Sequence, residues 1–289
     1  MVTGQGQGDG GGGVQTLIDC HAHVFDADMP TCPTAWTVPD YAFTPDDLLA
    51  QMDAHGVQHA VLSGLSISGG YNDYMLRALR AHPGRLRGTA IVDPPSDFYA
   101  MERMTGEGIT GIRLQLARSD QLPDLTTMEY RMLLRRVRDF GWHVQVAIEG
   151  PRLRQVLEPL MAAQVNVVID HFGHPDPADP LACDGMAALM TAVDTGRCWV
   201  KLSGGFRLAG TSAWAEEPDG ELWDIADRVA PWLLARVGTD RLLWGSDAPF
   251  VGYEGRVSYA EVIAKFRSWV PDAAKRAEIG QTGKALFFG

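Results

Sequence analysis

The sequence is poor in cysteine. Its four cysteines, Cys20, Cys32, Cys183 and Cys198, have no metal-binding spacing. Cys20 and Cys198 lie in apolar, strand-like runs, which suits buried thiols in a reducing compartment and predicts a cytoplasmic protein. Positive charge is also scarce. With 25 Lys and Arg against 36 Asp and Glu, the formal net charge is −11. That argues against nucleic acid or an anionic membrane as the main partner, while leaving room for an anionic small molecule held by a few local arginines. No apolar run is long enough to span a membrane. The N-terminus has neither the basic nor the apolar region of a secretory signal. Residues 1–15 carry no apolar pattern and include consecutive glycines from Gly10 to Gly13. They are expected to be a disordered Gly-rich tail outside the fold, which residues 16–289 would form as one domain without a linker.

From residue 16 the chain alternates between two patterns. Apolar, strand-like runs fall near 16–25, 59–66, 86–92, 111–116, 143–149, 166–172, 198–204 and 241–247. Helical periodicity falls between them. The first helix opens at Thr44-Pro45-Asp46-Asp47, a cap-like Thr, then Pro at the first helical position, then early acids. It ends near His55-Gly56. Further helices are expected near 72–82, 98–106, 127–140, 152–164, 184–196, 221–237 and 259–269, with glycines where they should stop. This alternation predicts an α/β fold, a (β/α)8 TIM barrel. A doubly wound open sheet is the alternative, but its first strand would more often be followed by a Gly-rich phosphate loop, and here that place holds HAHVFD. The long segment 26–43, with Pro30, Pro33 and Pro39, is expected to cover the barrel mouth, and 206–220 follows the seventh strand on the same side.

Barrel geometry then selects residues. Outward side chains pack on helices and should be apolar, and inward ones near a strand's C-terminal end should line a site. In the first strand, alternation puts Leu17, Asp19, His21 and His23 on one face. HxH alone reads more readily as two separately satisfied histidines than as a site. In the fourth, Ile112, Leu114 and Leu116 face out, and Gly111, Arg113 and Gln115 face in. In the fifth, His143, Gln145 and Ala147 face in. His171 stands at the end of the sixth strand and Asp247 at the end of the eighth. Lys201 faces in on the seventh, as a buried partner of Asp19 or Glu149. His21, His23, Arg113, His171 and Asp247 should therefore meet at one mouth. The tryptophans, Trp36 and Trp214 among them, are expected to be packing residues.

The motifs IDCHAHVF, VVIDHFGHPD, VKLSG and LLWGSDAPF, in this order, resemble the amidohydrolase superfamily. More narrowly, they resemble its amidohydrolase-2 type lactonases, the branch of 2-pyrone-4,6-dicarboxylate lactonase and related sugar and muconolactone lactonases. The resemblance runs from about residue 16 to the end, including Gly283-Lys284-Ala285-Leu286-Phe287. It implies a hydrolase acting on a small-molecule lactone that bears carboxylate or hydroxyl groups. It carries over His21, His23, His171 and Asp247 as catalytic residues, and Arg113, Arg118, Arg207 and Ser66 as substrate-binding residues. Asp247 would activate water, and the histidines would polarise the carbonyl. Arginine suits carboxylates through its planar fork.

The lactonase branch is understood to work without metal, and no cofactor is expected. If an ion is present, Zn2+ or Mn2+ would sit on His21, His23, His171 and Asp247. Against a binuclear centre stand Arg113, where such relatives carry a bridging lysine or acid, and the lack of a histidine at the end of the fifth strand. Close pyrone-dicarboxylate lactonases carry a tyrosine where this chain has Ala147, and His174 stands where many relatives have arginine. A sugar lactone, a muconolactone or a related cyclic ester then fits as well as the pyrone dicarboxylate. A metal-dependent decarboxylase or hydratase, an amide hydrolase and a non-catalytic binding barrel remain open. A homo-oligomer is compatible with the sequence.

Overall fold

The structure, a computed structural model, describes residues 17–209 and 221–289. The Gly-rich tail, Trp214 and most of the segment after the seventh strand lie outside the described residues. Eight strands form one parallel sheet in chain order: β1 (Leu17–Ala22), β2 (Val57–Ser63), β3 (Leu86–Ala90), β4 (Ile109–Gln115), β5 (His143–Ala147), β6 (Asn166–Ile169), β7 (Cys198–Leu202) and β8 (Leu242–Trp244). The sheet closes on itself just beyond β8. Ala22 bridges Ala248 in parallel, the His23 N–H donates to Ala248 O over 2.8 Å, and the Asp247 N–H donates to His21 O over 2.7 Å. The expected (β/α)8 barrel is the observed fold.

Helices follow the strands as α1 (Pro45–His55), α2 (Asp73–Ala81), α3 (Phe98–Gly106), α4 (Met128–Asp139), α5 (Leu153–Ala162), α6 (Asp184–Asp194), α7 (Asp224–Val237) and α8 (Tyr259–Trp269). The start of α1 is the one its sequence predicts. The Thr44 hydroxyl accepts from Asp47 N–H, and the Asp47 carboxylate accepts from Thr44 N–H, a closed capping box. A ninth helix, α9 (Ala273–Phe288), was not expected. Its weak amphipathic pattern hides it, because it buries only a few residues at its end of the barrel.

Two apolar layers result. Between sheet and helices lie the outward residues, including Ile112, Leu114, Val144, Val146, Val200 and Leu202. Each contributes about 1.5–3 kcal/mol by leaving water. Inside the barrel, Ile18, Cys20, Val61, Val168 and Leu243 pack with Phe287 of α9, which plugs the N-terminal end. His143 sits on this floor, 5.1 Å from the Phe287 ring. Chemistry is thereby confined to the opposite end.

One sequence expectation on β1 fails. Asp19 does not share a face with His21 and His23. The β1–β2 register slips between Asp19 and Ala22, a bulge that places Cys20 and His21 both inward and turns Asp19 out. There Asp19 accepts from the Ser246 N–H at 2.8 Å, the Ser246 hydroxyl at 2.5 Å and the Tyr259 hydroxyl at 2.9 Å. With no cation in that set, burial pushes its pKa up to about 6 against the pull of these hydrogen bonds.

Candidate active site

At the C-terminal end of the strands, a cavity of about 700 Å3 is lined by His23, Ser66, Arg113, Arg118, His171, Arg207 and Asp247, among others. His21 lies directly beneath, fully buried. The structure thus brings together the four expected catalytic residues and places all four expected substrate-binding residues on the cavity wall. Gly245, just past the end of β8, permits this: a Cβ there would stand 2.6 Å from the Cβ of His21, so only glycine lets the chain leaving β8 approach β1 this closely. Gly204, with φ of +56°, similarly leaves room for the His171 ring, whose Nδ1 would lie 2.5 Å from an added Cβ.

The geometry fixes protons as well as positions. His23 Nδ1 lies 2.9 Å from Ser63 O. A carbonyl only accepts, so Nδ1 carries the hydrogen and donates it. His21 Nδ1 lies 3.2 Å from Asp170 Oδ1. Burial would raise the Asp170 pKa, but Lys201, His21 and Arg113 outweigh it and hold the carboxyl well below the usual range. An ionised Asp170 also only accepts, so the tautomer that satisfies it carries the hydrogen on His21 Nδ1, with Lys201 Nζ, 3.3 Å from that nitrogen, donating to Asp170 Oδ1 instead. In the neutral ring, both Nε2 atoms are then bare. They lie 3.2 Å apart, with Asp247 Oδ1 at 3.4 Å from one and 3.6 Å from the other. Three acceptor atoms converge on one point.

Asp170 and Lys201 are the residues that sequence reasoning undervalued. Lys201 is buried against Asp170 Oδ1 at 3.3 Å, not against Asp19 or Glu149. Burial lowers its pKa, and Asp170 opposes that. Arg113 donates to Asp170 Oδ2 from Nε at 3.3 Å and Nη2 at 3.1 Å, and to Gly64 O from Nη1 at 2.7 Å. Gln145 Nε2 reaches the same Oδ2 at 2.9 Å. A polar residue alternating with Val168 inside an apolar strand was the available signal for Asp170. His171 hid it by claiming the strand's end. By alternation His171 should face out, but its φ of 48° and that of Phe172, 60°, turn the chain and swing the ring back over the barrel. His171 Nδ1 lies 3.0 Å from Ser203 Oγ, and burial pushes its pKa down to about 4 despite Asp247 and Asp170.

Arg207 Nε donates a short hydrogen bond to Asp247 Oδ2, and Nη1 donates to Val251 O at 3.0 Å. Burial would raise the Asp247 pKa, but the charge of Arg207 first, and then His171, hold the carboxyl well below the ordinary carboxylate range. Arg118 is exposed at the rim, its guanidinium 4.5 Å from the Trp36 ring centre. Trp36 is therefore not a packing residue as expected. It is 39% exposed, lines the mouth, and points its Nε1 at Ser66 Oγ over 3.4 Å. The segment 26–43 does border the mouth, through Cys32, Thr34 and Trp36.

Among the described residues, two groups could ligate an ion: His21, His23 and Asp247, and His21, Asp170 and His171. The second does not fit, because both Asp170 oxygens are already taken by Lys201, His21, Arg113 and Gln145. The first fits. Its separations of 3.2–3.6 Å match the edges of a tetrahedron with ligands at about 2.0–2.2 Å. The far nitrogens are held by a carboxylate and a carbonyl, as metal-bound histidines usually are.

Known proteins share this architecture. The chain is 26% identical to the 2-pyrone-4,6-dicarboxylate hydrolase of Comamonas testosteroni over 91% of this chain and 86% of that one. It is 24% identical to the 4-sulfomuconolactone hydrolase of Rhizobium radiobacter, over 94% and 89%. A crystal structure of a probable 2-pyrone-4,6-dicarboxylic acid hydrolase from Acinetobacter baumannii, with citric acid bound, superposes with a TM-score of 0.86. It is 30% identical and covers 95% of this chain and 100% of that one. Residues 18–282 match the family model described as Amidohydrolase, Amidohydro_2. A barrel closed by β8 onto a β1 His-x-His, with an aspartate at the seam, and a family match over nearly the whole chain lead to one conclusion: this protein belongs to the amidohydrolase family.

Proposed function

We propose that the protein is a lactonase, a carboxylic ester hydrolase that opens a small cyclic ester with water activated by Asp247. The observation that carries this is the seating of an ionised Asp247 against His21 and His23 at the base of a cavity walled by Arg113, Arg118 and Arg207. Kinship with hydrolases of pyrone and muconolactone rings supports the substrate class. Asp247 Oδ1 takes the proton of the attacking water, and Arg207 on Oδ2 holds the carboxylate in place. The lactone carbonyl needs a donor as the oxyanion forms. His171 lines the cavity and supplies one from Nε2 in the tautomer whose Nδ1 accepts from the Ser203 hydroxyl. His21 and His23 can do so only when a proton is shared among the converging acceptors. Arg113 and Arg207, buried at the base, and Arg118 at the rim bind anionic substituents, and Ser66 adds a hydroxyl.

Metal-independent hydrolysis is the favoured form because of charge. With neutral histidines, the buried set holds Arg113, Arg207 and Lys201 against Asp170 and Asp247. A divalent ion would add two further positive charges to a site already in cationic excess. The converging acceptors favour a second form, in which His21, His23 and Asp247 would hold Zn2+ or Mn2+, which would supply polarisation of the carbonyl or the water. A lactone panel read with a pH indicator, before and after exhaustive chelation, tests both, since ring opening releases a proton at neutral pH. Turnover unaffected by chelation is expected. Loss on chelation with recovery on zinc or manganese establishes the metal form, and no opening of any lactone refutes the lactonase reading.

A further inference from the structure

Gln115 ends β4 on the inward face, one alternation above Arg113, and lines the cavity. Its register partner on β5 is Ala147, whose methyl group offers the amide no hydrogen-bond partner. Gln115 Oε1 is buried and meets no hydrogen-bond donor among the described residues. The other inward amide, Gln145, is fully engaged: its Oε1 accepts from Thr89 Oγ1 at 2.8 Å, and its Nε2 donates to Ser63 Oγ at 3.0 Å and Asp170 Oδ2 at 2.9 Å. A buried acceptor without a donor is costly and rare. At a cavity wall, a ligand can complete it. The arginines nearby do not serve it. Arg113 is bonded to Asp170 and Gly64, and Arg207 to Asp247 and Val251. The charged groups at the cavity rim are Arg118, its guanidinium 4.5 Å from the Trp36 ring centre, and Asp93 and Asp120, which only accept hydrogen bonds.

We propose that Gln115 is a specificity-determining residue whose Oε1 accepts a hydrogen bond from a substrate hydroxyl, so that the site selects hydroxylated lactones over their deoxy counterparts. The inference rests on the lactonase reading for the substrate class, and it deepens that reading at one wall of the same site. A site built to hydrogen-bond a hydroxyl discriminates strongly against the analogue that lacks it, because the site's own polar group is left unpaired.

The test measures binding and turnover separately. Ribono-γ-lactone, galactono-γ-lactone and their singly deoxygenated forms are titrated calorimetrically into the wild-type protein, Gln115→Leu and Gln115→Glu, each checked for an unchanged melting profile. Gln115→Ala replaces Gln115→Leu if the latter misfolds. In the wild type, removal of one particular hydroxyl should weaken binding by about tenfold or more. In Gln115→Leu that ratio should collapse to within about threefold, whereas Gln115→Glu, which keeps an acceptor, should retain it. A ratio that persists in Gln115→Leu, or the absence of any hydroxyl preference in the wild type, overturns the proposal. So does failure of every hydroxylated lactone to bind, whatever else is turned over. Because the ratio is read from binding, it decides the role of Gln115 even if no lactone is opened, an outcome that refutes only the hydrolytic reading.

Discussion

Asp247 carries two functions, base and buried counter-charge, that a single substitution removes together. Asn keeps its shape but not its charge. The expected loss in kcat is on the order of 10^2–10^4-fold, measured on a confirmed lactone substrate. Arg207 would also lose its buried counter-charge, so the melting temperature should fall as well. Turnover by the Asn variant within about threefold of wild type would move the base elsewhere, since general-base catalysis is worth far more than that. The pH profile follows from the environment of the carboxylate. Arg207 and the histidines keep it ionised far into acid, and burial pushes His171 down to about 4. The rate should therefore hold well below pH 6.5, and a midpoint near that ordinary histidine value would contradict this electrostatic picture. Lys201 makes a second point at this scale. Lys201→Met leaves Asp170 with one cation fewer and His21 less firmly held. Breaking a buried pair from one side costs about 3–5 kcal/mol, to be read from urea unfolding.

Elements divide by barrel end. Phe287, on α9, plugs the floor far from the cavity, so Phe287→Ala should destabilise by about 3–5 kcal/mol while kcat of the folded fraction stays near wild type. Gly245→Ala should do the opposite in kind. Its Cβ would collide with His21, separate β8 from β1, and abolish turnover even where the far-UV spectrum survives. What the sequence disclosed also follows elements. Period-two alternation gave the inward sets of β4, β5 and β7 correctly, because those strands are regular and carry apolar residues outward. It failed on β1, where one extra residue turns Asp19 away from the histidines, and at the end of β6, where left-handed backbone returns His171 to the site. It also could not pair Arg207 with Asp247 or Lys201 with Asp170, since these contacts join different strands and loops. The masking of α9 had another cause, the near absence of an apolar stripe.

The whole molecule carries opposed titrations. His143, on the floor, has its pKa pushed down to about 3, by burial first and then by Lys201. A depressed histidine contributes stability that is present above its unfolded value of 6.5 and is lost as pH falls toward 3. Asp170 and Asp247, both held low, lose their contribution in the same direction. Asp19 works the other way: raised to about 6, it contributes below its unfolded value of 3.8 and ceases to as pH rises through 6. Acid weakening should dominate. Urea midpoints should fall between pH 6.5 and 4, and His143→Gln should flatten that slope by up to about 1.4 kcal/mol per pH unit. An unchanged slope would show that the floor histidine is not a contributor.

The hydrogen bond from Asp247 N–H to His21 O is at once a seam of the barrel and a strut of the site. The imidazoles emerge early in synthesis and the carboxylate late, and everything between them must be wound into place before the two meet. A chain that stops short of β8 is inert however well its earlier strands have paired. A barrel that springs open at this one join loses its chemistry while the rest of its sheet stays intact. Turnover in such a protein is a proofreading signal: it reports that the ring has been completed, and it goes silent at the first break in the circle.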